Sequence, residues 1–282
     1  MAVFADDTFV VSYPRSGNTW TRFLIANLLH PEAPATFANI ERLVPDAEAQ
    51  SSLALKRIPR PRCIKSHEYF DHRYRRVIYI VRDPRDVALS YYHFSRKYRH
   101  IDDAYPLNLF VEDFVNGRLS SADWGSWGEN VGTWLSARAK DPNFLLLRYE
   151  DMIQDPAHEL VRLANFFGVE ASPKRFEEVI QLSSAERMRE LEQKQGDDWI
   201  STKNRRKDIP FVGPASSGGW KSKLSQDSVV QIESKWGALM KFLNYELATE
   251  EGRRSCHDHR FWWAMGNEAG VSRETQDCFP GE

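Results

Sequence analysis

The sequence is short of cysteine, of charge imbalance and of long apolar runs, and each shortage removes a class of protein. Among 282 residues there are three cysteines, Cys63, Cys256 and Cys278. An odd, widely spaced set makes neither a disulfide framework nor a metal cage, which points to a reducing, cytoplasmic setting. Lys plus Arg number 38 against 40 Asp plus Glu, a formal net charge of −2. Such a balance argues against a bulk nucleic-acid binder, so any anion site has to be local. No stretch approaches the roughly 20 apolar residues of a membrane span. The start, MAVFADDTFVVSYP, has neither the basic region nor the long apolar run of a secretory signal. An internal repeat is also missing, as is the GxxxxGK[ST] pattern of a Walker A loop.

What is present is ample core material: 41% of residues are hydrophobic and 12% aromatic. That is enough for one large core or two modest ones. Short apolar runs alternate with longer amphipathic ones, the pattern of an α/β protein whose central parallel sheet is flanked by helices. Strands are expected at 8–12, 62–66, 76–81 and 144–148. Three of them carry near-continuous apolar cores (FVV, VIYIV, FLLL), as strands buried on both faces do. A helix over 18–30 places Trp20, Phe23, Leu24 and Leu28 along one face. Asp83-Pro84 and Asp155-Pro156 each read as an N-cap followed by a first helical residue, and the second helix stops at Gly168. Residues 196–219 form a long loop rich in Gly, Pro, Ser and basic side chains, the kind that in a compact domain is either functional or disordered. One domain over 1–248 is expected, and 249–282 read as a C-terminal extension of uncertain structure.

Chemistry gathers at two strand–helix junctions. The first, VSYPRSGNTW over 11–20, turns a strand into a helix N-terminus, where unpaired backbone N–H groups and the helix dipole favour an anion. Gly17 permits close approach of the backbone. Ser16, Asn18 and Thr19 add short polar groups, and Arg15 adds a fixed charge. The second junction, VIYIVRDPRDVALSYYHF over 77–94, ends its strand at Arg82 and carries Ser90 about two turns into the next helix. A guanidinium and a hydroxyl so placed suit a phosphate. An RDP turn by itself is more often structural, with Arg82 paired to a carboxylate. A third segment, Lys65-Ser66-His67, lies at the end of a strand, where ligands of open α/β sheets bind.

These segments together resemble the cytosolic-type sulfotransferases that use 3′-phosphoadenosine 5′-phosphosulfate (PAPS). Residues 13–20 match six of the eight positions of that family's phosphosulfate loop, YPKSGTTW, departing at Arg15 and Asn18. The 77–94 stretch is similar to its 3′-phosphate motif, with Arg82 and Ser90 at the two contact positions. Gly125-Ser126-Trp127, the YEDM that begins at Tyr149, and Gly219-Trp220-Lys221 resemble further family elements, so the likeness spans about residues 8–245.

The resemblance implies a P-loop-NTPase-like fold and in-line transfer of a sulfuryl group to an acceptor hydroxyl, or else an amine, with PAP as product and no metal. His67 is then the general base, with Glu68 as fallback. Arg15 and Lys65 stabilise charge on the 5′-phosphate. The same likeness assigns Ser16, Gly17, Asn18, Thr19, Trp20, Arg82, Ser90, Tyr149 and Ser183 to the nucleotide. The partner expected is a small-molecule or glycan acceptor.

Three departures stand out. Ala185 replaces an aromatic stacker, and the charged RKG stretch is replaced by Gly213-Pro214-Ala215. The segment KSKLSQDSVVQIE matches the family's dimerisation motif poorly, which leaves the oligomeric state open. Lys203, Arg205, Arg206 and Lys207 are candidates to replace the missing charge. An inactive PAPS- or PAP-binding regulator and a nucleotide kinase are the competing readings.

Overall fold

The computed structural model describes residues 1–255. Four strands, β1 (Thr8–Ser12), β2 (Cys63–Ser66), β3 (Arg76–Val81) and β4 (Phe144–Arg148), form one parallel sheet in the order β2-β1-β3-β4. The expected strands are all present. The second begins one residue later, at Cys63, although the Arg62 carbonyl still accepts from the Thr8 amide of β1 at 2.9 Å.

Alternation divides the strands between two cores, as a period of two requires. Phe9 and Val11 of β1 join Val77, Tyr79 and Val81 of β3 on one face, with Trp134 and Trp236. Val10, Ile78 and Ile80 point to the other, with Phe23, Leu160 and Met188. Helices cover both faces. On the first lie α5 (Leu107–Val115), α6 (Trp127–Arg138) and α12 (Gln226–Phe242). On the second lie α1 (Asn18–Leu29), α8 (Pro156–Phe167), α9 (Pro173–Leu182) and α10 (Ala185–Gln195).

Local chemistry sets the helix ends. The Asp83 carboxylate accepts from the Arg85 amide at 2.9 Å and opens α4 (Pro84–Lys97). Asp155 accepts from the His158 amide at 3.0 Å and opens α8, which closes on Gly168 at φ 71°. Ser126 and Glu129 form a reciprocal capping box at the start of α6. Between α10 and α11 (Trp220–Lys223) the chain runs through turns and bends, as expected of the long loop. Past residue 248, α13 (Glu250–Ser255) follows Thr249, whose amide and hydroxyl both donate to Glu233 of α12. The remainder of the C-terminal extension lies outside the described residues.

β1 has a parallel partner on each side, so the chain leaves it first in one direction and then in the other. A crevice opens at the carboxyl end of such a strand. The turns after β1, β2, β3 and β4 all converge there.

Asp7 and Arg62 brace the opposite end of the same strands. Both side chains are fully buried, with 2.5 Å between Arg62 Nη2 and Asp7 Oδ2. Asp7→Ala strands a buried guanidinium and is expected to cost about 3–5 kcal/mol of unfolding free energy. Urea denaturation checks this as a fallen midpoint at unchanged slope. Removing the neighbouring carboxylate in Asp6→Ala, half-exposed against Arg60, should leave the midpoint in place.

Candidate active site

The β1–α1 turn is built on two left-handed residues, Arg15 at φ 71° and Gly17 at φ 100°. A Cβ on Gly17 would stand 2.5 Å from Cδ2 of Tyr149, so glycine is required both by the backbone and by the ring lying against it. The amides of Gly17 to Trp20 precede the first bond of α1, Thr21 N–H to the Gly17 carbonyl at 3.1 Å. Asn18 turns its side chain back into the protein. Its Nδ2 donates to the Val10 carbonyl at 3.1 Å and to Ser12 Oγ at 3.2 Å, tying the turn to β1. Ser16 Oγ and Asn18 Oδ1 are buried without a hydrogen-bond partner.

A cleft of about 780 Å³ opens above this turn. Arg15, Gly17, Asn18, Thr19 and Trp20 line it, together with Lys65, His67, Arg82, Ser90 and Tyr149. Ser16 lies buried just beneath. Of the residues assigned to the nucleotide from sequence, Ser183 points away from the cleft. It is fully buried at the end of α9, and its hydroxyl accepts from Asn27 Nδ2 at 2.9 Å. Its neighbours Ser184, Ala185 and Met188 face the cleft in its place.

Arg15 reaches across the cleft, where its Nε donates to Ser90 Oγ at 3.3 Å. Its guanidinium lies over Phe94 at 4.8 Å and over Phe211 at 5.1 Å. Burial lowers its pKa to about 10, which leaves it charged at neutral pH. Arg82 does not follow the common structural pattern of an RDP turn. It donates to the carbonyls of Arg15 at 3.4 Å and Ser216 at 3.2 Å, and covers the Tyr149 ring at 4.2 Å. It has no carboxylate partner among the described residues, and its Nε is buried without one of any kind.

His67 sits at the tip of β2. Its Nδ1 lies 2.7 Å from the Ser12 carbonyl oxygen. A carbonyl can only accept, so Nδ1 carries the proton and Nε2 keeps its lone pair. Burial first, then the charge of Lys65, pushes the imidazole pKa down to about 3. The ring is therefore neutral at pH 7. Helix α6 fixes the backbone beneath it: Asn130 Nδ2 donates to the His67 carbonyl at 3.2 Å, and Trp134 Nε1 donates to that of Glu68 at 3.0 Å. Glu68 itself does not line the cleft.

Lys65 lines the cleft but is not a free cation. Its Nζ lies 3.0 Å from Asp46 and 2.5 Å from Glu48. Glu48 also accepts the His67 amide at 2.6 Å. The sequence motifs gave neither Asp46 nor Glu48 a role. The residues 45–48 pair along β2 through Lys65 N–H to the Pro45 carbonyl and Ala47 N–H to the Lys65 carbonyl, at 2.8 and 2.9 Å.

The long loop forms one wall through Trp199, Ile200, Phe211 and Val212. It is pinned by Lys97, whose Nζ donates to the carbonyls of Arg206 at 2.7 Å and Ile209 at 2.6 Å. Glu192 pins it from the other side, accepting from the amides of Phe211 at 2.6 Å and Val212 at 2.9 Å. Among its basic residues, Arg206 pairs with Asp103 and Asp208, and Lys207 with Asp197. Lys203 does not line the cleft, and Arg205 does. Among the described residues no group of three or more His, Cys, Asp or Glu is placed to hold a metal ion, and no helix is long and apolar enough to cross a membrane.

Comparison with known proteins gives the following. The family model for the sulfotransferase domain matches residues 5–254. The chain is 31% identical over 198 residues to a 3-beta-hydroxysteroid sulfotransferase of Cavia porcellus, covering 66% of this chain and 67% of that one. It is 24% identical over 249 residues to an amine sulfotransferase of Oryctolagus cuniculus, covering 84% and 81%. The crystal structure of mouse sulfotransferase SULT7A1 complexed with PAP superposes with a TM-score of 0.66 at 23% identity, covering 89% of this chain and 87% of that one, a likeness of fold.

The turn generates a stability prediction. Gly17→Ala combines a forbidden backbone angle with a clash, and is expected to cost about 1–3 kcal/mol. Joined to Tyr149→Ala, it should cost less than the sum of the two single changes, because the clash disappears while the backbone strain remains. Thermal denaturation of the three variants checks this, and strict additivity would refute it.

Proposed function

The chain belongs to the sulfotransferase family, and on that premise we propose that it transfers a sulfuryl group from PAPS to an acceptor hydroxyl, with His67 as base. The observation that carries this reading is that one cleft holds both a neutral imidazole with a free Nε2 and an Arg15 guanidinium with no carboxylate partner among the described residues. The donor fits the residues present. Ser16 Oγ and Arg82 Nε are buried polar atoms lacking partners, and Gly17 admits a ligand close to the backbone.

Arg15, Ser16 and the amides of Gly17 to Trp20 would hold the 5′-phosphosulfate, while Arg82 and Ser90 would hold the 3′-phosphate. Trp20 and Tyr149, edge to face at 5.8 Å, offer the apolar surface for adenine, with Met188 in the same wall. Bound there, the donor supplies the sulfuryl group and a phosphate leaving group.

The protein's share of the chemistry is proton transfer and charge stabilisation. His67 Nε2 takes the proton of the acceptor hydroxyl, and the Ser12 carbonyl steadies the Nδ1–H of the cation that forms. Arg15 holds negative charge at the turn without yielding a proton, since its pKa of about 10 keeps it charged. Lys65 braces β2 through Asp46 and Glu48, so its charge is largely cancelled at the turn. Phe94, Tyr98, Trp124 and Trp199 wall the side of the cleft toward the acceptor, which suits a compact aromatic or apolar alcohol. A reducing, cytoplasmic setting belongs to the same reading and accords with the buried, unpaired Cys63.

Binding and catalysis test separately. PAP is expected to raise the melting temperature without added metal, because a ligand that binds only the folded state stabilises it. A shift seen only with ATP and Mg²⁺ would favour a nucleotide kinase. His67→Gln should retain that PAP shift and lose about 10²- to 10⁴-fold in transfer to a hydroxyl, the usual contribution of a positioned base. Full activity in this variant would remove His67 from the chemistry. Because the imidazole pKa is lowered to about 3, the base stays unprotonated above that value. The limb of kcat/KM due to His67 should therefore be flat between pH 5 and pH 8, where an unshifted histidine would give a rise near about pH 6.5. A rise through that pH would show the imidazole to be exposed and unshifted.

A further inference from the structure

Several cationic side chains line the cleft, and their partners sort them. Arg22 is paired with Glu41 at 2.8 Å, Lys65 with Asp46 and Glu48, and Lys97 with Glu192 at 3.4 Å. Arg15, Arg82, Arg205 and Lys223 also line it, and among the described residues none of these four is in an ion pair. A cleft that keeps several cations uncompensated is prepared for a ligand with more than one anionic group.

Helix α4 gives the four their places, because one of its faces runs along the cleft through Asp86, Ser90, His93 and Lys97. Arg82 precedes its first turn. Arg205 stands near its far end, over the Tyr98 ring at 4.5 Å. That is about 12 Å from Ser90 along the axis at about 1.5 Å per residue. Lys223 stands beside the middle. Trp220, one turn earlier on α11, packs with Leu89, the neighbour of Ser90. The charge of Lys223 also helps, after burial, to lower the pKa of His93. The Asp86 carboxylate accepts from the amides of Gly218 at 2.6 Å and Trp220 at 3.0 Å, which fixes the start of α11 against α4. The segment between, Gly213-Pro214-Ala215, lines the cleft with no charge of its own. Lys223 is thus the unpaired cation near His93, one turn of α4 from Ser90 along the cleft, and it comes from outside the two strand–helix junctions.

We propose that Lys223 holds the 3′-phosphate of the donor together with Arg82 and Ser90, an inference that rests on the PAPS reading above. A 3′-phosphate carries close to two negative charges at neutral pH, more than a single guanidinium offsets. Lysine meets it as a compact point charge that a mobile stem can deliver from the cleft rim. Arg205, at the far end of α4, is left to the side of the cleft that receives the acceptor.

Calorimetric titration of the full chain with PAP and with AMP, which lacks the 3′-phosphate, tests the assignment. The wild type is expected to prefer PAP. Lys223→Ala should weaken PAP by about 10-fold, the loss of one charge-assisted contact, and leave AMP unchanged. Lys223→Arg should restore most of the preference, and Arg205→Ala should leave it intact. If the wild type prefers PAP and Lys223→Ala keeps the whole preference, the assignment to Lys223 is wrong while the donor reading stands. Equal weakening of PAP and AMP would also overturn it, since the lysine would then act on the common part of the nucleotide. A wild type that binds neither nucleotide would remove the donor reading itself, and this inference with it.

Discussion

The hydrogen bond from His67 Nδ1 to the Ser12 carbonyl joins the two strands on which the cleft is founded. Ser12 is the last residue of β1, and its hydroxyl accepts from Asn18 at the head of α1. One residue therefore ties together the sheet, the imidazole and the β1–α1 turn. The same bond selects the tautomer with a free Nε2. Its acceptor is a backbone atom of a buried parallel strand, so no substitution at Ser12 removes it directly. The sheet order makes the arrangement possible, because β1 lies between β2 and β3 and brings the ends of both to one crevice.

Charge in the cleft is organised by where carboxylates are supplied and where they are withheld. Lys65 and Lys97 are buried with acidic partners and serve the frame, one bracing β2 and the other pinning the long loop. Arg15 and Arg82 are instead surrounded by rings, hydroxyls and carbonyls, which accept their hydrogen bonds without cancelling their charge. A net charge of −2 over 282 residues conceals this segregation. The acidic groups beside the cleft are engaged as well: Asp86 by two amides, Glu150 by the Asp83 amide and the Tyr245 hydroxyl.

The departures from the family's motifs become intelligible in the fold. Arg15 keeps its charge at a buried position, where burial would neutralise a lysine more readily. The absent RKG charges lie in a stretch whose neighbours, Gly218 and Trp220, are held by Asp86, so the lysine that follows on α11 is carried to the rim of the cleft.

The amino-acid sequence by itself determined the elements and the class. Apolar runs in VIYIV and FLLL, the Asp-Pro helix starts and Gly168 all act over a few residues, so local spacing reveals them. The β1–α1 turn and the strand–helix junction that carries Arg82 and Ser90 were legible as local structure for the same reason. Tertiary structure alone decided which charges stay free. Lys65 meets Asp46 and Glu48 from 17 to 19 residues away, and Arg206 meets Asp103 across 103 positions. It also decided that Ser183 bonds to Asn27 in the interior while Ser184 faces the cleft, a difference of one residue set by where α9 ends. Ion pairing and tautomer choice depend on atoms that folding brings together, and no local spacing encodes those distances.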